Sequence, residues 1–255
     1  MILPHDYVNY IKISCVGTDG VKKTLKGGFQ VEDSDYVNSQ SESYVSMNWV
    51  ANNGVSATDT SGDLSTELQA NPTAGFSIAK FTVSGSGVKT WAHGLGKTPE
   101  FGHLWVYNTT PYGTFYHHKM SATPAQNYMF MSTSGGIASF TNGWGTAGPS
   151  SSLWSGTVGQ LFSASVPYMF YSWTGIEGYS RFDTYVGNGS TDGTFVYTGF
   201  KPRTIWIKST SAVSNYVFDT VRNPNNPNGK RPVSYTHLRA HETPEHRVCR
   251  LLREK

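Results

Sequence analysis

Short runs of β-branched and aromatic residues recur along the chain, at 7–13, 44–50, 76–83, 101–107, 168–173, 194–198, 204–208 and 216–221. Most have the length of strands rather than helices. Turn dipeptides punctuate them: Asp19-Gly20, Asn53-Gly54, Asn142-Gly143, Asn188-Gly189, Asp192-Gly193 and Asn228-Gly229. Asn or Asp before Gly tolerates the positive φ of a tight hairpin. One patch, 62–70, carries Asp63, Leu64, Glu67 and Leu68 at helical spacing and reads equally as a short helix or a loop. The pattern predicts an all-β fold of antiparallel strands.

The runs also repeat. Gly75-Phe76-Ser77 and the residues to Val83 resemble Gly178-Tyr179-Ser180 and the residues to Val186, at an offset of 103. At that offset Pro99 falls on Pro202 and Phe115 on Phe218. Gly94 parallels Gly199 after a two-residue gap, and the run ending at Trp49 parallels the run ending at Trp173. Proline is tolerated as the first residue of a strand and not in its middle, so Pro99 and Pro202 mark strand starts. Trp49, Gly75, Gly94, Pro99, Trp173, Gly178, Gly199 and Pro202 form the framework of the repeat. They predict two related sandwich-like (jelly-roll or lectin-like) units, one over 27–165 and a second, truncated one over 166–232. Residues 1–26 read as a separate module.

The string from Tyr185-Val186-Gly187-Asn188-Gly189 through Phe200-Lys201-Pro202, continued by Asp219-Thr220-Val221-Arg222-Asn223-Pro224, resembles a repeated domain of unknown function in marine tailed-phage proteins. The first copy shares the resemblance through 44–49, Gly75-Phe76-Ser77 and His93-Gly94-Leu95-Gly96-Lys97-Thr98-Pro99. It implies a virion component, in a tail fibre or another host-facing appendage. Other virion subunits, further copies of the chain (a trimer in a fibre) and a host surface glycan are the partners implied. No catalytic residue carries over. Residues 233–255, beginning Val233-Ser234-Tyr235-Thr236-His237-Leu238-Arg239, resemble a translated adapter from sequencing-library preparation.

Composition narrows the function classes. Charged residues are only 15% of the chain and aromatics 14%, so the core is aromatic and the surface rich in hydroxyls. The formal charge is +3. Without the five cations and three anions of 233–255 it falls to +1, which argues against a nucleic-acid partner. No apolar run approaches a membrane span. The start has no signal-peptide pattern, so synthesis in the host cytoplasm and residence in the particle are expected. Two cysteines support neither a disulfide framework nor a cysteine metal site.

Candidate chemistry is sparse. Gly96-Lys97-Thr98 ends like a phosphate loop, but Trp91 stands where that motif needs Gly, and Pro99 opposes the helix that would follow. His93, His103, His117 and His118 lack an acidic or cysteine partner at ligand spacing, so no metal is expected. Glu177, Asp183, Asp192 and Asp219 are the carboxylates available to a glycosidase, yet nothing in their spacing demands a shared cleft. No enzyme and no cofactor are expected. Residues 120–176 carry no Asp, Glu, Lys or Arg. Within them Trp144 and Trp154, flanked by Gly143, Gly145 and Gly156, are expected on exposed loops as glycan contacts, while Trp173 is expected in the core. A carbohydrate-binding module outside a virion and a polysaccharide depolymerase are the alternative readings.

Overall fold

The computed structural model describes residues 21–25, 28–31, 38–40, 48–52, 56–106, 113–131, 133–213 and 215–220. The runs at 7–13, most of 44–50, the adapter-like 233–255 and the dipeptides at 19, 53 and 228 lie outside them. Fourteen strands are described: β1 Val21–Leu25, β2 Gly28–Val31, β3 Ala57–Asp59, β4 Thr66–Asn71, β5 Phe76–Thr82, β6 Val88–Ala92, β7 Phe101–Val106, β8 Thr114–His117, β9 Asn127–Phe130, β10 Ala138–Ser139, β11 Leu153–Thr157, β12 Pro167–Trp173, β13 Thr204–Ile207 and β14 Tyr216–Asp219. The fold is all-β and antiparallel. Among the described residues no helix is long and apolar enough to cross a membrane.

Eight strands form one sheet in the order β10-β9-β8-β7-β12-β5-β4-β3. Its centre is β12, which pairs antiparallel with β5 along its whole length (Pro167↔Thr82 to Trp173↔Phe76) and with β7 on its other side (Tyr168↔Val106 to Trp173↔Phe101). Residues two apart on a strand share a face, so Tyr168, Phe170 and Ser172 look one way and Met169, Tyr171 and Trp173 the other.

The first face is covered by the two-stranded ribbon β11-β6, giving the two layers of a sandwich. Cross-strand partners Trp154 and Trp91 stack with ring centroids 6.3 Å apart. Trp154 lies 4.8 Å from the Phe170 ring and donates from Nε1 to Ser172 Oγ at 2.9 Å. Trp144 closes the layer, donating from Nε1 to the Asn127 carbonyl at 2.9 Å. Rings of this size bury much apolar area, and each indole N–H that is paired avoids a desolvation cost. Glycines make room for them. A Cβ on Gly102 would meet Trp154 and Phe170, and one on Gly156 would meet Phe162.

The second face carries Phe76, Tyr171, Trp173, Phe101 and Phe115. Trp49 packs here, 6.0 Å from both Phe76 and Trp173. Phe182 stacks on Phe101 at 5.8 Å, and Trp206 meets Phe101 edge-on at 5.9 Å. Trp206 belongs to the β13-β14 hairpin, which docks beside β9 and β10. Ile137 N–H donates to the Thr210 carbonyl at 3.0 Å and Lys208 Nζ to the Thr133 carbonyl at 2.9 Å.

The chain departs from the sequence pattern in two places. Part of the patch at 62–70 is strand β4, not a helix or loop. Burial alternates along the start of this patch, with Leu64, Thr66 and Leu68 buried and Ser65 and Glu67 exposed. The polar Thr66 takes an inward position, however, and Gln69 is buried as well, so the apolar–polar alternation that signals a strand is missing from the sequence. Residues 194–198 form no strand. They have strand composition, but no strand among the described residues pairs with them.

Candidate functional site

Two regions invite a functional reading: a cleft of mixed charge at one end of the sheet, and the exposed aromatic stretch beside it. The cleft has a volume of about 440 Å³ and lies between the start of β7, the turn after β8 and residues 175–200. Backbone bonds hold its walls. His118 N–H donates to the Glu100 carbonyl at 2.8 Å, and the His118 ring lies 3.0 Å from the Phe182 carbonyl. The stacked Phe182 pins this wall to β7.

Asp183 is the best-ordered charge in the cleft. Lys119 Nζ donates to its Oδ1 at 2.7 Å, Arg181 donates from Nε and Nη2 to its Oδ2 at 3.1 and 2.7 Å, and the Thr184 N–H adds a fourth bond. These donors, Lys119 foremost, hold the carboxyl well below the usual carboxylate range. A carboxylate held that way is a poor general acid at neutral pH. Glu100 and Glu177 share the cleft. Asp192 lies instead in the loop that Thr194 closes by donating to the Val186 carbonyl, and Asp219 lies on β14. Of the four sequence carboxylates, then, the fold brings Glu177 and Asp183 to one cleft and leaves Asp192 and Asp219 elsewhere.

The histidines do not converge. His93 is fully buried, accepting at Nδ1 from the Leu95 N–H (3.2 Å) with Nε2 3.3 Å from the Ser150 carbonyl. That pairing assigns the proton to Nε2. His103 accepts at Nδ1 from Trp105 Nε1 at 3.0 Å. Burial lowers His93 and His117 to about 4 and His103 to about 3, so all three are neutral at pH 7. Among the described residues no three His, Cys, Asp or Glu side chains are grouped so as to hold a metal ion.

Trp144 and Trp154 must be reassigned. Both have 0% exposure, so neither presents a ring to a glycan. Their glycine neighbours mark close packing against rings rather than open loops. Trp173 packs against the core, half-buried, while Trp49 stays 50% exposed.

The exposed aromatics lie further along. Tyr179, Tyr185, Val186, Phe195, Tyr197, Ile205 and Trp206 all face solvent, Phe195 with 87% of its surface. These seven large exposed side chains, all within 179–206, are a concentration of the kind found at contact surfaces. The signal in the sequence was the strand-like run 194–198 itself, apolar yet isolated among Gly, Asn, Asp and Ser.

Of the framework residues, the paired glycines share the sign of φ. Gly75 and Gly178 have φ of +66° and +73°, Gly94 and Gly199 of +64° and +83°. β13 begins at Thr204, 103 residues after β7 at Phe101, and each pairs with the next strand as a hairpin. Against known protein families, residues 9–251 match the model of a domain of unknown function, DUF7483. The matched range takes in most of 1–26 and runs on through 233–251. No curated protein and no solved structure matches the chain.

Proposed function

The chain belongs to the DUF7483 family, and for this member we propose a non-enzymatic, structural role in a tailed-phage particle, in a tail fibre or host-adhesion appendage built of interlocked β units. The single observation that carries the proposal is the position of β12. The strand that opens the second unit in sequence completes the sheet of the first, hydrogen-bonded on both sides. Units joined this way cannot be separated without breaking two ladders, which suits an extended, load-bearing appendage. The near-neutral, charge-poor chain and its sequence resemblance to marine tailed-phage proteins support the same reading. Repeated units at an offset of 103 are part of the proposal, supported by the matched glycines and hairpins. Assembly with further copies of the chain, with other virion subunits and with a host glycan follows from it.

Mass spectrometry of tailed-phage particles purified from the source material tests the role. Peptides from residues 56–220 should co-purify with capsid and tail proteins. Recovery in host soluble fractions alone, or release of reducing ends from bacterial polysaccharide in proportion to added protein, would overturn it. Residues 233–255 we read as adapter-derived. The family match extends to residue 251, so this reading rests on the residue string and is decided by resequencing; a continuous gene encoding 233–255 ends it.

A further inference from the structure

The candidate cleft holds two kinds of polar group, those engaged with one another and those left free. Lys119 and Arg181 both pair with Asp183, so these three charges satisfy each other. Glu100 and Glu177 line the same cleft, and among the described residues neither carboxylate makes a hydrogen bond or an ion pair. The free groups therefore accept hydrogen bonds and do not donate them. Glu100 is half-buried, and its carboxylate sits against the backbone of Gly175, where a Cβ would lie 2.9 Å from Oε2. An acceptor partly withdrawn from water gains from a ligand that donates to it. The opposite character comes from Tyr197, which lines the cleft with 70% of its surface exposed, and from the half-buried Phe200. The wall is already ordered: Ile176 and Ser180 exchange backbone bonds at 3.1 and 2.8 Å, and the Glu100 N–H donates to the Trp173 carbonyl at 2.8 Å. A ligand entering here orders little more of the backbone.

We infer that this cleft binds an uncharged sugar ring of a host surface glycan, with Glu100 and Glu177 accepting from its hydroxyls and the Tyr197 ring covering its apolar face. The source of the sugar rests on the host-adhesion reading above, and its chemistry on the cleft. A pyranose offers both things the cleft lacks: hydroxyl donors around its rim, and a face of C–H groups that lies flat on an aromatic ring. An acidic sugar would bring its carboxylate toward Glu100 and Glu177 and be repelled. A small amine would meet the carboxylates but leave most of the space unfilled. The cleft volume of about 440 Å³ falls within the range of ligand pockets, about 300–1,000 Å³. The glycan contact thus moves from Trp144 and Trp154, which are buried, to a tyrosine that is not.

The test follows backbone amide chemical shifts of the full chain as sugars are added, each to about 50 mM, above the millimolar dissociation constants of weak sites. The neutral probes are the methyl glycosides of glucose, galactose and mannose, with maltose and lactose; glucuronic acid and putrescine are the charged comparisons. At least one neutral sugar should shift amides of 175–183 and 197–200 saturably. Tyr197→Ala and Glu177→Gln, both at exposed positions, should each weaken that sugar at least ~10-fold with the urea midpoint unchanged. Glu100→Gln should do the same; if it proves unstable, the two exposed substitutions decide alone. Binding untouched by both exposed substitutions puts the sugar elsewhere and overturns the inference. So does the absence of saturable shifts with every neutral probe, or saturation by glucuronic acid or putrescine only. The virion role is judged apart from this. A chain present in purified particles that binds no neutral sugar keeps that role and loses the site, whereas one that binds through Tyr197 but is absent from particles keeps the site and loses the role.

Discussion

At the scale of single residues, the core is set by how indole rings and glycines share space. Trp154 has Ser172 Oγ for its N–H and Phe170 for its face, and Gly102 opposite it has no side chain to obstruct the ring. Trp154→Ala removes the largest inward side chain of β11 and should cost about 3–5 kcal/mol, read from urea denaturation. A loss under about 1 kcal/mol would mean that the ring is not in the core. The framework glycines give a contrasting pair. A Cβ on Gly75 would meet the Thr174 carbonyl oxygen, whereas one on Gly178 meets nothing within 4 Å, although both residues have positive φ. Gly178→Ala should therefore cost about 1–2 kcal/mol, the backbone strain alone, and Gly75→Ala clearly more. Equal effects would contradict the described environments.

Buried histidines add a pH dependence at the same scale. Burial holds His93 and His117 near 4 and His103 near 3, against about 6.5 in an unfolded chain. The unfolded state therefore binds more protons as pH falls below about 6.5, and stability drops across the window from there to about 4. Above pH 7 both states are neutral at these sites and the contribution is flat. Urea midpoints measured between pH 7.5 and 4.5 should fall with pH, and His93→Gln should make the fall shallower. A midpoint that rises on acidification would contradict the assignment.

At the scale of elements, strands that reach the sequence as continuous aromatic runs were legible, and those whose partners hide the pattern were not. β5, β7, β12, β13 and β14 coincide with apolar runs because each carries several large residues in a row. β4 reads as helical because the inward position between Leu64 and Leu68 is the polar Thr66, which leaves two leucines four residues apart as the visible signal. β11 places only Trp154 and Gly156 inward from Leu153–Thr157; a large and a vanishing side chain do not look like one face. For the same reason the glycines around Trp144 and Trp154 suggested loops when they were recesses. Residues 194–198 fail in the opposite sense, with strand composition and no strand, because pairing is not a local property. Phe170→Asp in β12 puts a charge between the layers beside Trp91, Trp144 and Trp154. It should abolish cooperative unfolding, as followed by near-ultraviolet circular dichroism.

For the whole molecule, one half is packed and the other more open. Residues 57–173 hold the eight-stranded sheet and its covering ribbon, while residues 174–220 contribute one hairpin and several exposed aromatic side chains. The candidate cleft follows the same division, its walls drawn from both halves and its central carboxylate engaged by Lys119 and Arg181. Glu177 and Asp183 were visible in the sequence as acids, but their shared cleft depends on Phe182 stacking on Phe101, a contact between residues far apart in the chain. The exposed surface was signalled only by the strand-like run 194–198, because exposure depends on neighbours distant in the chain.

The claim on which the rest depends is that β12 is the central strand of the eight-stranded sheet while 194–198 forms no strand. Hydrogen exchange on the unmodified chain measures both at once. Amides of β12 should be among the slowest to exchange, comparable with β5 and β7, while those of 194–198 exchange near the rate of an unstructured chain. Fast exchange in β12, or protection at 194–198 equal to that of β5, would contradict the account.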